Sequence, residues 1–294
     1  MVYLLDGGMG QELVHRSSSE KTDNLWSART LLDEYDLVKD LHKDFIQAGA
    51  QGIIINSYAI TPHRLKLYNM QDQFSSLQTK ACTAAVEARQ ETQTQVDIFG
   101  SLPPLVASYH KTVGVTKQDA VDVYRRMVDV QSKYVDGFIC ETVCSIEEAE
   151  IVTDVALESG KKVWLSYSVN DQDGTYLRGG EQLEFGVEHF EQSDVDAVLI
   201  NCSYPEAIEQ SMQVCKNFSK TFGGYPNGFD SVEPLLPGGD VSVLNKRKDF
   251  NKDVFVDSVI KYIDHGATII GGCCEVGPEY ISAVSKRKKK KNLV

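Results

Sequence analysis

Short runs of β-branched and aliphatic residues recur along the whole chain, and most are followed by a stretch of helical periodicity. The runs lie at 2–5, 53–55, 96–99, 137–142, 163–169, 197–202, 221–225 and 268–274. They are too short for helices and are bounded by Gly, Pro, Asn or Asp, which predicts buried strands. Between them, Leu37, Leu41 and Phe45 share one face of a helix predicted over 36–48 and stopped by Gly49. Residues 72–93 contain neither Gly nor Pro and predict a long helix. Thr116 with Asp119, and Ser145 with Glu148, read as capping boxes for helices reaching residues 134 and 160. Further helices are predicted over 181–192, 205–218 and 253–264, the second with Ser203 as N-cap and Pro205 and Glu206 in its first turn. Residues 229–250 show no sustained period and read as an active-site lid or a surface excursion.

Eight strands alternating with helices, undivided by any linker, predict an α/β chain folded as a single (β/α)8 barrel over residues 1–284. A doubly wound open sheet is the rival architecture, but it would not bring the first, fourth, sixth and eighth strand ends to one mouth. In a barrel, functional groups gather where the strands end. Asp6, Asn56, Glu141, Asn170, Cys202, Asn227 and Cys273 all stand at such ends.

Composition narrows the class. A net charge of −12 argues against general nucleic-acid affinity, and no run approaches the roughly 20 apolar residues of a membrane span. An odd number of cysteines, seven, and a start without a charged, cleavable segment point to a reducing cytoplasm. In the basic run Lys286 to Lys291 like charges crowd closely, so residues 285–294 are expected to form a solvated, frayed tail. The oligomeric state is not legible.

The candidate chemistry is thiol chemistry. The last strand runs into Gly271, Gly272, Cys273 and Cys274, and the sixth ends on Cys202, so three thiols stand just past two strand ends. Thiolate is a preferred zinc ligand, and three protein ligands with a fourth position free make the arrangement of a catalytic zinc site. Core packing is the other reading of these residues, since cysteine is among the most buried residue types.

Asp6-Gly7-Gly8, Ser57-Tyr58, Glu141-Thr142, Asp173-Gly174 with Gly180-Glu181, Asn201-Cys202-Ser203, Tyr225-Pro226-Asn227 and Gly271-Gly272-Cys273-Cys274 occur in this order. Together they resemble the homocysteine S-methyltransferases over almost the whole chain. The resemblance implies a zinc ion held by Cys202, Cys273 and Cys274, with the homocysteine sulfur as fourth ligand. It also implies carboxylates at Asp6 and Glu141 around the homocysteine ammonium, with Gly7, Ser57, Tyr58, Asn170, Tyr225 and Asn227 lining the substrate site. The twenty residues after Cys274 leave no room for folate and cobalamin modules or for the long arm of the betaine enzymes. S-methylmethionine is therefore the expected donor and S-adenosylmethionine the next. Tyr58, Tyr167 and Tyr225 would present aromatic faces to a sulfonium.

The chain departs from the family pattern at Leu102-Pro103-Pro104, Ala59, Cys144 and Glu275, all near the expected substrate loops. Two other functions compete. A zinc hydrolase would use a metal-bound water with Glu141 or Asp6 as base, but none of the six histidines shows a paired ligand spacing. A non-catalytic barrel that binds zinc or thiols is the third reading.

Overall fold

A computed structural model of the chain describes residues 1–18, 25–235 and 243–291. Eight parallel strands form one sheet: β1 (Tyr3–Leu4), β2 (Gly52–Ile54), β3 (Asp97–Leu102), β4 (Gly137–Val143), β5 (Lys162–Tyr167), β6 (Ala197–Asn201), β7 (Thr221–Tyr225) and β8 (Ile269–Ile270). Their spatial order is β1-β8-β7-β6-β5-β4-β3-β2, and a parallel bridge between Leu5 and Gly52 joins the two ends. The sheet therefore closes into the expected barrel, with helices around it.

The two-residue repeat of the strands decides what faces inward. Phe99, Ile139, Trp164, Leu199 and Ile269 fill the barrel interior, with Phe99 and Trp164 ring centroids 4.3 Å apart. Their neighbours Ile98, Phe138, Cys140, Leu165, Val198 and Ile200 point outward into the layer beneath the helices. Two residues further along, the same inward face carries Ser101, Glu141, Ser166, Asn201 and Tyr225, all buried. A polar tier thus stands on an apolar tier at the carboxyl ends of the strands. β7 passes its neighbour closely because it has glycine at Gly223, where any Cβ would run into the Ile269 carbonyl.

Eleven α-helices occur among the described residues. Those predicted appear as α3 (Tyr35–Ala48), α5 (Phe74–Thr92), α6 (Lys117–Gln131), α7 (Ile146–Leu157), α8 (Leu183–His189), α9 (Pro205–Cys215) and α10 (Lys252–Asp264). Gly49 ends α3 in the left-handed conformation, φ 106°. Thr116 Oγ1 accepts from Asp119 N, and Ser145 Oγ from Glu148 N, so both residues cap their helices, but in place of the reciprocal bonds of a capping box Asp119 Oδ2 accepts from Thr116 Oγ1 and Glu148 Oε2 from Cys144 N. Three helices of more than one turn escape the periodicity reading: α1 (Met9–Arg16), α2 (Trp26–Asp33) and α11 (Pro278–Lys290). A single-turn helix, α4 (Pro62–Lys66), follows β2.

Three local expectations change. β3 runs on through Gly100 to Leu102, so Ser101 is a strand residue and not part of a loop. Ser203 does not cap α9: its hydroxyl donates to Val169 O or Asn201 O and accepts from Val169 N, which ties β6 to the segment after β5. The basic run is helical through Lys290 and is not frayed there. Lys288 is buried beneath the barrel, where its ammonium donates to Val2 O and to Gln51 Oε1. Burial lowers its pKa to about 8. Residues 292–294 of the expected tail lie outside the described residues. No described helix is long and apolar enough to cross a membrane.

The Gly223 contact supplies a test of closure. Gly223→Ala sets a methyl against the β8 backbone, which cannot turn aside as a side chain can. The variant should lose about 1–3 kcal/mol of stability, read as a lower urea midpoint with an unchanged slope.

Candidate active site

Cys202 follows β6 directly, in a left-handed conformation with φ 48°, and Cys273 and Cys274 follow the two glycines after β8. The three sulfurs lie within 4.8 Å of one another, the one group of potential metal ligands found among the described residues. Cys202 and Cys273 are joined through their sulfurs, with Cα atoms 5.6 Å apart, and Cys274 Sγ is 3.9 Å from Cys202 Sγ. That separation suits two thiolates on one tetrahedral ion with metal–sulfur bonds of about 2.3 Å. The donor set fits a thiophilic metal once the Cys202–Cys273 bond is reduced, since a sulfur in a disulfide is a poor ligand. The remaining cysteines, Cys82, Cys140, Cys144 and Cys215, are buried elsewhere.

The thiols open onto a cavity of about 860 Å³, counting the space at its open mouth. Gly7, Tyr58, Glu141, Thr142, Tyr225 and all three thiols line it, together with Gln11 of α1 and Tyr109 of the loop after β3. From residues 229–250, Phe229, Leu235 and Leu244 line it as well. Phe229, Val232 and Leu244 make a small apolar cluster that Tyr109, Leu235 and Cys274 pack against, which favours the lid reading; residues 236–242 lie outside the described set.

Two carboxylates are buried at the cavity: Glu141 lines it, and Asp6 lies behind its Gly7 wall without lining it. Glu141 is 8% exposed and accepts from Ser101 Oγ at 2.5 Å. Burial raises its pKa to about 7, although the Ser101 bond and the field of Arg64 pull the other way. Asp6 is 1% exposed; Oδ2 accepts from Ile54 N at 2.9 Å, whereas Oδ1 has no partner. Burial pushes its pKa well up against the Ile54 bond, and the Glu141 charge adds to the rise. Among the described residues neither carboxylate stands in an ion pair. Such a pair favours a cationic ligand group, whose charge would repay the desolvation.

One side chain sets the geometry of three strand ends. Asn201 Oδ1 accepts from Thr142 N at 3.0 Å and from Ser166 Oγ at 2.9 Å, and its Nδ2 donates to Thr142 Oγ1 at 2.9 Å. Thr142 itself is left-handed, φ 61°, so strain is held on both sides of this amide, next to Glu141 and next to Cys202.

Not every expected residue reaches the cavity. Asn170 is exposed, and its Oδ1 accepts from Gln172 N and Asp173 N, shaping its own turn. Ser57 is fully buried in the helix layer, where Gln131 Nε2 approaches its hydroxyl at 3.5 Å. Asn227 is also fully buried and positions the lid by accepting from Phe229 N. Asn56 does line the cavity, and its amide donates to Ser27 O. Tyr167 lies outside the barrel interior with its hydroxyl donating to Gly186 O, so it offers no face to a substrate. Tyr58 lines the cavity, but the Arg64 guanidinium sits 4.9 Å from its ring centroid. Ser101, Asn201, Gln11, Tyr109 and Arg178 are site residues that sequence reasoning did not assign. Strand alternation from Phe99 could have found Ser101; nothing local marks Tyr109.

A family model described as homocysteine S-methyltransferase matches residues 3–288. The chain is similar to homocysteine S-methyltransferase 2 of Arabidopsis thaliana, 28% identical over 97% of this chain and 92% of the relative. It is 29% identical to selenocysteine Se-methyltransferase of Brassica oleracea var. italica, over 97% and 88% of the two chains. Its fold is that of the homocysteine methyltransferase MmuM from Escherichia coli. The metallated form superposes with a TM-score of 0.79 and the oxidized form with 0.80, each at 24% identity over 97% of this chain and 96% of the other.

The raised pKa of Glu141 has a stability consequence. Between pH 4.5 and 7 the unfolded chain has lost this proton while the folded chain keeps it, so stability falls as pH rises through that window. Glu141→Gln removes the effect. In the ligand-free protein, the stability of the variant relative to the parent should grow by on the order of 2–3 kcal/mol from pH 5 to pH 8, measured by urea unfolding at both.

Proposed function

This chain belongs to the homocysteine S-methyltransferase family, and from that premise we propose that it moves a methyl group from a sulfonium donor to the thiol of homocysteine, giving methionine. The observation that carries the reading is one cavity lined by three clustered thiols and by Glu141, with the buried Asp6 carboxylate beside its Gly7 wall. Zinc held by Cys202, Cys273 and Cys274 would keep the acceptor sulfur deprotonated and nucleophilic at neutral pH. Reduced thiols are a condition of that binding, which suits a cytoplasmic enzyme.

Each residue around the cavity has a part in the proposed reaction. Glu141, held by Ser101, and the free Oδ1 of Asp6 would take the amino acid ammonium, a charge-assisted contact in a dry mouth. Gln11 Oε1, buried and without a partner, offers a further acceptor on the same wall. Phe229, Leu235 and Leu244 shield the reacting sulfur from water. The methyl group travels as a carbon electrophile, so no general base acts on it. A cationic donor loses its charge as the methyl leaves, a change that the negative surroundings of Glu141 and the thiolates tolerate.

S-methylmethionine remains the proposed donor, with S-adenosylmethionine second. Support from aromatic faces is narrower than the tyrosine count suggests, because Tyr167 is absent from the cavity and Arg64 covers one face of Tyr58. Tyr225, Phe229 and Tyr109 remain. A zinc hydrolase is disfavoured by a donor set made only of thiols.

The reduced protein should hold about one zinc per chain, and Cys202→Ala, Cys273→Ala and Cys274→Ala should each lose most of it together with methionine formation. Full zinc retention in all three variants would refute the metal assignment. Initial rates of methionine formation with S-methylmethionine, S-adenosylmethionine and betaine at equal concentration test the donor. S-methylmethionine should be fastest; betaine ahead of both sulfonium compounds would overturn that choice while leaving the acceptor chemistry intact.

A further inference from the structure

The loop after β3 begins with Pro103 and Pro104, at one of the positions where the chain departs from its family's pattern, and ends in the helix cap at Thr116. It carries Tyr109 into the cavity in a left-handed conformation, φ 64°, which a non-glycine residue seldom adopts. A strained backbone is retained only where its surroundings hold it. Here the holders are visible on three sides of the side chain.

The Tyr109 hydroxyl donates to Cys202 Sγ at 3.4 Å. The Arg178 guanidinium lies over the ring, 5.0 Å from its centroid. Arg178 is itself fixed: Nη2 donates to Asp171 Oδ1 at 2.8 Å, Nε to Ser168 Oγ at 2.8 Å, and Nη2 approaches Cys202 O at 3.4 Å. That ion pair is nearly buried, the side chains 7% and 10% exposed. On the outer side, the Phe229, Val232 and Leu244 cluster packs against the ring. The same few side chains therefore grip Cys202 at its carbonyl and at its sulfur. An apolar wall alone would need neither the hydroxyl nor the guanidinium.

We propose that Tyr109 is a positioning residue of the thiol centre, its hydroxyl holding the Cys202 sulfur in ligating position while Arg178 holds the ring. The proposal rests on the reading of the three thiols as a zinc site. A thiolate accepts a hydrogen bond more strongly than a disulfide sulfur does, so the contact gains strength when Cys202 is reduced. Outer contacts of this kind orient metal ligands, and their loss lowers metal affinity or activity about 10–100-fold.

The test uses the reduced, zinc-loaded full chain and follows zinc release into excess chelator by absorbance. Tyr109→Phe keeps the ring, the Arg178 contact and the lid packing, and removes only the hydroxyl. It should release zinc about 10-fold faster than the parent while the thermal midpoint of the zinc-free protein stays the same. Arg178→Met should give a smaller acceleration, since the hydroxyl remains but its ring is less constrained. Tyr109→Phe releasing zinc at the parental rate overturns the proposal and leaves an apolar wall. A fall in the zinc-free midpoint that accounts for the faster release also overturns it, because the residue would then be structural. A parent chain that binds no zinc under reducing conditions sinks the reading of the triad, and is thereby distinguished from failure of the Tyr109 role alone.

Discussion

The site depends first on a buried amide. Asn201 is fully enclosed at the end of β6 and bonds the backbone and hydroxyl of Thr142 on β4 and the hydroxyl of Ser166 on β5. Three of its four hydrogen-bonding positions are thus filled from inside the barrel. Its chain neighbours are the residues that matter: Cys202 follows it, and Thr142, which it grips, follows Glu141. Both Thr142 and Cys202 are left-handed, a conformation that bulky or β-branched residues avoid unless something holds them there. The amide therefore fixes where the Cys202 sulfur and the Glu141 carboxylate leave their strands. An apolar residue of similar size would leave Thr142 N unpaired in a dry interior, at the full desolvation cost of that group.

Above this clamp the barrel separates two kinds of layer by strand alternation alone. Phe99, Ile139, Trp164, Leu199 and Ile269 plug the barrel beneath the polar tier. The tier formed by Ser101, Glu141, Ser166, Asn201 and Tyr225 is open only toward the mouth, where the lid residues Phe229 and Leu244 stand. Polar groups placed between a dry plug and an apolar lid interact more strongly than they would in water. The perturbed carboxylates are the sign of this: burial raises the pKa of both Glu141 and Asp6.

Much of this was legible in the chain, for physical reasons that differ by feature. Eight strands could be read because parallel strands buried on both faces are near-continuous apolar runs. The three thiols could be grouped because they follow two strand ends that a barrel brings to one mouth. Helices α1, α2 and α11 were not legible: α1 is opened by glycines, and α11 ends in a basic run whose burial of Lys288 depends on the barrel floor supplying Val2 O and Gln51 Oε1. Asn170 was misplaced for a related reason. An Asn at a strand end can face the mouth or turn back on its own loop, and here the local Asx turn wins. Tyr109 had no signal because its partners, Cys202 and Arg178, are 93 and 69 residues away in the chain.

Charge ties these pieces together. Three thiols and Glu141 line one mouth with Asp6 buried behind it, while the guanidiniums of Arg64 and Arg178 stand over the rings of Tyr58 and Tyr109. Burial raises the pKa of both carboxylates. A divalent ion on the thiolates would lower the pKa of nearby acids, since bound cations are often the largest local charges in a site. Ionised carboxylates would in turn hold the ammonium of the acceptor more firmly. The arginines behind the tyrosines fit the same scheme: they fix the walls of the mouth and leave its own charge to be balanced by what binds there.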